Sequence, residues 1–262
     1  MESPNELLLL VAVGVGMMLI LAVTFVLFFS FSQNKLRQEQ IKAQQTKLEY
    51  QEKLLHSTLR TQEEERKRIA KDLHDEVGSK LNVIHLFMHQ IAKKAPDVRA
   101  NIDEVAEVLN DTINTSRRIS HDLLPPTLES FGLASAIEEF CDRFRQSHTL
   151  SVNFESEGTR PENIPQMTEL NLFRILQELL SNTLKYAQAS EINIHLIQSP
   201  EKLLLEYRDN GRGFDEKAME NQKGLGMKNV ESRLQMIGGT WHLQTALGEG
   251  VKVRVEVKLS PG

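Results

Sequence analysis

Asp209-Asn-Gly-Arg-Gly-Phe-Asp215, followed by Lys223-Gly-Leu-Gly-Met-Lys-Asn229, is the stretch on which the fold of this chain turns. Gly211 and Gly213 permit backbone conformations and a close approach that a side chain would prevent. Just before Asp209, Leu203, Leu205 and Tyr207 recur at every second position, as do Ile192, Ile194 and Leu196, which predicts two paired strands. Further on, Val251, Val253, Val255 and Val257 alternate with Lys252, Arg254, Glu256 and Lys258, the pattern of a sheet with one wet face and one face covered by helices.

Upstream, Leu172, Phe173, Leu176, Leu179, Leu180 and Leu184 line one face of a predicted helix. Arg174, Glu178, Asn182 and Lys185 form a polar stripe on another face, expected to point away from the core. The order of elements predicts a two-layer α/β sandwich over residues 130–262. Residues 214–223 are mainly polar, as a flexible lid would be. Gly224 and Gly226 are expected to precede a helix running through Ile237, whose first amides suit a phosphate, with Lys223, Lys228 and Arg233 nearby.

The chemistry of these boxes is that of a nucleotide site. The side-chain oxygen of Asn182 suits one position on Mg²⁺, a hard cation that prefers oxygen ligands and keeps several waters. Glu178, one turn earlier, can orient a metal-bound water or accept a proton, and Lys185 can contact phosphate as a point charge. Asp209 at a strand end can accept a hydrogen bond from the adenine amino group.

Working outward, Leu7 to Phe31 carries no charge, long enough at about 1.5 Å per residue to cover a ~30 Å hydrocarbon core. Lys35, Arg37, Lys42 and Lys47 follow it, so residues 7–31 are read as a transmembrane helix in the cell membrane, with residues 1–6 outside and the rest cytoplasmic. Six exterior residues are too few for a ligand pocket. Between 34 and 62, Leu48, Leu55 and Leu59 fall on heptad positions, continued by Ile69 and Leu73, and predict an imperfect coiled coil. The seam then runs through Val77, Leu81, Ile84, Met88 and Ile91. It pauses at Ala95-Pro96-Asp97 and resumes as Ile102, Val105, Leu109, Ile113, Ile119 and Leu123, until Pro125-Pro126 stops it. This predicts a helical hairpin over 63–125. A hairpin cannot bury both stripes alone, so a homodimer forming a four-helix bundle is expected.

His74-Asp75 lies on the shoulder of that seam, predicting an accessible imidazole, with Gly78 one turn on leaving clearance for an approaching group. Arg66, Lys67, Arg68 and Lys71 supply positive charge within two turns. An Asp75 carboxylate holding Nδ1–H would keep the other nitrogen unprotonated and nucleophilic, although neighbours on a helix point about 100° apart. His121-Asp122 repeats the dipeptide without the basic cluster and is read as structural; His85 and His89 lack a third metal ligand. Cys141 is the sole cysteine, which excludes an intrachain disulfide and fits a buried small hydrophobe. A net charge of -5 and a pI near 5.9 argue against direct nucleic-acid binding.

Residues 66–82 resemble the dimerisation and phosphoacceptor helix of bacterial sensor histidine kinases, in the branch whose partners are NarL/LuxR-type response regulators. Leu123-Leu-Pro-Pro-Thr-Leu-Glu-Ser-Phe-Gly-Leu133 is similar to that branch's connector. The ordered boxes Glu-x3-Asn, Asp-x-Gly-x-Gly and Gly-x-Gly resemble the ATP-binding fold shared by histidine kinases, gyrase-type ATPases and mismatch-repair ATPases. The resemblance implies autophosphorylation of His74 assisted by Asp75, with transfer to an aspartate on a separate response regulator. It also implies ATP held by Asn182 through Mg²⁺, by Asp209 at adenine, and by loops shaped by Gly211, Gly213, Gly224 and Gly226. Three positions depart from the family pattern: Ser79 stands where a glutamine implicated in removing phosphate from the regulator is frequent, Tyr186 where histidine is common, and Val251 where threonine often lies near the nucleotide. Two other classes remain open on the residues: a serine kinase of the anti-sigma-factor type or nucleotide-driven clamp on the same fold, and a non-catalytic membrane adaptor.

Overall fold

The computed structural model describes residues 4–94, 97, 99–145, 150–215 and 224–259. The chain divides into two compact units, 1–55 and 56–262. The described part of the first unit is helical throughout, the N-terminal portion of α1 (Pro4–Asp72). Phe25 and Phe28 are among its exposed apolar side chains, and the helix is long and apolar enough to cross a membrane.

The second unit opens with the end of α1. A wide π-helical turn at Leu73–Gly78 follows, then α2 (Ser79–Lys94) and α3 (Arg99–Leu123). Ala95 and Pro96 of the expected hairpin turn lie outside the described residues. The seam differs from the heptad reading, and the π turn explains how. Leu59, Glu63, Arg66, Ala70 and Leu73 turn inward at steps of three and four, but the next inward residue is Gly78, five further on. The stripe then continues through Leu81, His85, Met88 and Ala92, while Val77, Ile84 and Ile91 stay exposed. On α3, Ile113 is buried, whereas Val105 and Ile119, also assigned to the seam, are exposed. One extra residue in the wide turn rotates everything beyond it onto a different face.

α3 ends before Pro125, which is extended and caps α4 (Pro126–Phe131) with Pro126 in the first turn, where a missing N–H costs nothing. α5 (Leu133–Arg145) carries Cys141, fully buried; burial pushes its thiol up to about 12, so it is a packed hydrophobe. His121 Nδ1 lies 2.8 Å from Glu139, tying α3 to α5 in the structural role expected of it.

The C-terminal part of this unit holds a five-stranded mixed sheet in the order β1-β2-β3-β5-β4. Its strands are β1 (Ser151–Gly158), β2 (Glu191–Gln198), β3 (Lys202–Asp209), β4 (Gly239–Thr245) and β5 (Val251–Lys258). β1 pairs parallel to β2 and the other pairings are antiparallel. Ile192, Ile194, Leu196, Leu203, Leu205, Tyr207, Val253, Val255 and Val257 share one core with α5, α6 (Gln166–Asn182) and α7 (Leu225–Met236), while Asn193, Arg208 and Arg254 occupy the opposite face. Trp241 sits half-buried on edge strand β4.

The helical and sheet-bearing parts of this unit meet through a buried charge triad. Glu63 on α1 takes Arg174 of α6 at 2.8 Å and Arg233 of α7 at 2.7 Å, with all three no more than 8% exposed. Arg174 also donates to the carbonyls of Asp122 and Leu123 at the end of α3, and Arg233 to Asn171 Oδ1. Two sequence expectations are corrected here. Arg174 is not part of an outward polar stripe and Arg233 is not near a phosphate position, because each satisfies its buried guanidinium on the stalk. Burial pulls Arg174 below its ordinary pKa, opposed by Glu63 and reinforced by Arg66 and Arg233.

Candidate functional site

A cleft of about 670 Å³ opens between the end of α6, the start of α7 and the loop after β3, a size usual for a small-molecule site. Glu178, Asn182, Lys185, Asp209, Gly213, Gly224 and Gly226 all line it, so residues spread over three sequence boxes converge on one hollow. Tyr186 and Val251 line it too, which puts two of the three departures from the family pattern at the site. Leu184 is exposed, not part of the helix's apolar face. After Asn182 the helix widens into a second π turn, Thr183–Ala187, which shifts the phase that regular periodicity would carry to Leu184.

Asp209 is almost fully buried at the end of β3 and is held from both sides. Gly211 donates its N–H to Oδ1 at 2.9 Å, and Thr183 donates its hydroxyl to Oδ2 at 2.8 Å. Tyr207, buried behind them, donates to Thr183 Oγ1 at 2.7 Å. Gly213 turns the loop at φ +57, where a Cβ would meet the Ala246 carbonyl at 2.0 Å. The polar groups suit a purine nucleotide: an anchored carboxylate to accept from an amino group, and helix-terminal amides with Lys185 to donate to phosphates.

The third box differs in detail from its sequence reading. Gly224 is the N-cap of α7, and among the described residues nothing lies within 4 Å of where its Cβ would stand. Gly226 lies inside the helix instead of before it, and a Cβ would stand 2.1 Å from Glu178 Oε1. A side chain there would first displace the Glu178 carboxylate, the movable end of a side chain that lines the cleft. Gly226→Ala is expected to turn the Glu178 carboxylate aside with little cost to the fold and to weaken ATP binding about 3-fold, the worth of one hydrogen bond; titration of the purified variant with ATP checks it. Lys228 is exposed on α7 without lining the cleft. Lys223 and most of the expected lid, 216–223, lie outside the described residues.

His74 is exposed in the first π turn, beside a small hollow of about 180 Å³ lined also by Asp75, Gly78, Ser79, Asn82 and Arg117. A Cβ on Gly78 would meet only the Leu73 carbonyl, at 3.6 Å, so space beside the imidazole is open. No hydrogen bond joins His74 to Asp75, consistent with neighbouring side chains diverging on a helix. The basic cluster before it is partly neutralised: Arg68 pairs with Glu65 at 2.5 Å and Asp72 at 3.0 Å, and Lys67 with Glu129 at 2.9 Å. These exposed pairs are weak and exchangeable.

Thr183 and Tyr207 had no functional reading in sequence. The available signal was two hydroxyls at inward-facing positions of otherwise apolar patterns, next to Asn182 and two residues before Asp209. Glu63 gave no such signal, since a glutamate on a charged helix reads as solvated.

Comparison with known proteins agrees with this geometry. Residues 65–128 match the family described as histidine kinase, and residues 167–261 match the family of histidine kinase-, DNA gyrase B- and HSP90-like ATPases. The chain is 30% identical over 207 residues to the sensor histidine kinase ComP of Bacillus subtilis, a match covering 76% of this chain and 27% of ComP. The chain thus spans about a quarter of that relative's length. Among solved structures it is similar to the histidine kinase domain of an Erythrobacter litoralis blue-light activated histidine kinase, with TM-score 0.43, 15% identity, 68% of this chain and 94% of that one. The Acinetobacter baumannii histidine kinase AdeS gives TM-score 0.40, 15% identity, 68% and 94%. With the phosphoacceptor and ATPase matches falling in that order on one chain, this protein belongs to the histidine kinases.

Proposed function

We propose that the chain is a membrane-anchored sensor kinase that phosphorylates His74 from ATP and passes the phosphoryl group to an aspartate of a NarL/LuxR-type response regulator. The observation that carries this reading is the convergence of Glu178, Asn182, Asp209 and Gly226 on one cleft, in a chain that also exposes His74 on its helical module. Asn182 Oδ1 would hold Mg²⁺, which when bound neutralises charge on the phosphates. Asp209 accepts from the adenine amino group, and Lys185 meets phosphate. The unprotonated imidazole nitrogen of His74 attacks the γ-phosphorus; a P–N bond forms, the bond to the β-γ bridging oxygen breaks, and ADP leaves with that electron pair. Glu178 orients the reacting groups at the cleft mouth.

Asp75 acts on the imidazole by taking up the Nδ1–H contact through a rotamer change during the reaction. Asp75→Asn is expected to slow labelling about 100-fold while leaving ATP affinity unchanged, the scale of one general acid–base contact; equal labelling rates would remove this role.

We also place the domains as 1–6 outside, 7–31 spanning the membrane, 34–62 as signalling helix, 63–125 as phosphoacceptor hairpin and 130–262 as ATP-binding domain. A homodimer is supported by a second apolar stripe left uncovered in the single chain: Val77, Ile84, Phe87 and Ile91 on the first arm, and Val105, Val108 and Ile119 on α3. Large apolar side chains exposed along both arms mark an interaction surface, and two copies would cover it as a four-helix bundle.

Incubating the full chain in detergent with γ-labelled ATP tests the function. An acid-labile, base-stable label on the protein is expected. A chain that holds ATP yet stays unlabelled, or carries only acid-stable label, overturns the reading.

A further inference from the structure

The side chains behind Asp209 form a chain whose direction is fixed by chemistry. A carboxylate only accepts hydrogen bonds, so the Thr183 hydroxyl, 2.8 Å from Oδ2, must donate its one proton there. Thr183 Oγ1 can then only accept from Tyr207, 2.7 Å away, and the phenol must donate. Tyr207 is 2% exposed and Thr183 5% exposed, so no bulk water competes for either hydroxyl. Burial, foremost, pushes the Tyr207 phenol far above its ordinary value, with the Asp209 charge adding to this and the Thr183 bond opposing, so the phenol keeps its proton. The Gly211 amide occupies Oδ1 from the other side. A carboxylate torsion that would otherwise be broad is clamped by two donors, and all three side chains line the cleft.

We infer that Thr183 and Tyr207 are positioning residues for nucleobase selection, clamping the Asp209 carboxylate so that its remaining lone pair meets a 6-amino purine and rejects a 6-oxo purine. The inference rests on the reading of the cleft as an ATP site and adds to it the residues that make the acid selective. Asp209 alone supplies an acceptor; free to rotate, it could turn its lone pairs away from an incoming carbonyl and let a water bridge the two. Held by Thr183, it presents a lone pair to the lone pair of a 6-oxo group, and neither can move aside. Tyr207 acts one bond further back, by removing the alternative in which the Thr183 hydroxyl rotates away.

The test is equilibrium binding of ATP and of inosine triphosphate, which differs at the 6-position, to the full chain in detergent. Wild type is expected to prefer ATP by about 10-fold or more, the scale of one base-edge contact. Thr183→Val keeps the shape and removes the donor, and is expected to narrow the ratio about 10-fold, the worth of a hydrogen bond to a charged group. Tyr207→Phe, which deletes one oxygen and serves if Thr183→Val does not fold, is expected to narrow it about 3-fold, the worth of a neutral bond. Thr183→Ser, which keeps the hydroxyl, is expected to retain the wild-type ratio. If wild type discriminates and both Thr183→Val and Tyr207→Phe do so equally well, or lose affinity for both nucleotides in parallel, the clamp is only structural and the inference falls while the ATP site stands. If wild type binds both nucleotides alike, the inference falls while the ATP site stands; if it binds neither, the reading of the cleft itself falls and takes the inference with it.

Discussion

His74→Gln is expected to reduce phosphoryl incorporation to background while leaving ATP affinity at the wild-type value. Glutamine is close in reach and polarity to histidine but its amide nitrogen has no available lone pair, so no P–N bond can form. His74 is exposed, so its replacement disturbs no packing, and it lies outside the nucleotide cleft. The two readouts therefore separate cleanly: labelling by autoradiography after alkaline treatment, and nucleotide affinity by titration. Residual base-stable label on the variant would assign the acceptor to another histidine; His121, tied to Glu139, is the alternative to examine first.

The second large effect concerns stability. Glu63→Ala is expected to cost about 3–5 kcal/mol, the penalty of leaving a buried charge without its partner. The cost arises because Arg174 and Arg233 then face each other at low exposure with no carboxylate between them. Arg174 would retain its bonds to the Asp122 and Leu123 carbonyls, and Arg233 its bond to Asn171, so the ATP-binding fold itself should stay folded while the stalk helix loosens from it. Thermal unfolding and hydrogen exchange over residues 56–70 measure this directly. Replacing all three residues together by apolar ones of similar volume should recover much of the loss, since a buried pair is seldom better than good apolar packing. A single Glu63→Ala change within about 0.5 kcal/mol of wild type, the size of an ordinary surface substitution, would mean the triad is not buried in solution.

Much of the ATP-binding domain could be read in advance because its chemistry is local. Asp209 and the glycines around it are fixed by what the backbone must do near a ligand, and the alternation in β2, β3 and β5 announces a sheet with one covered face. β1 escaped the reading because, as an edge strand paired only with β2, it buries Val152 alone and shows no sustained alternation. The hairpin was legible as two helices but not in its facing: a period of 3.5 or 3.6 assumes an unbroken helix, and Leu73–Gly78 violates that assumption. Glu63 was illegible for a different reason. Its partner Arg174 lies 111 residues away, and nothing local distinguishes a glutamate that will be desolvated from one that will not.

The widened turn under His74 has a mechanical consequence. Restoring ordinary pitch there would require the preceding helix to revolve about 100° relative to α2, or one residue to be lost. The His74 ring therefore sits where the helix winding changes. Torsion arriving along the helix from its N-terminal side can be absorbed at Leu73–Gly78 by exchanging wide for narrow winding, and the first side chain such an exchange would re-aim is the imidazole.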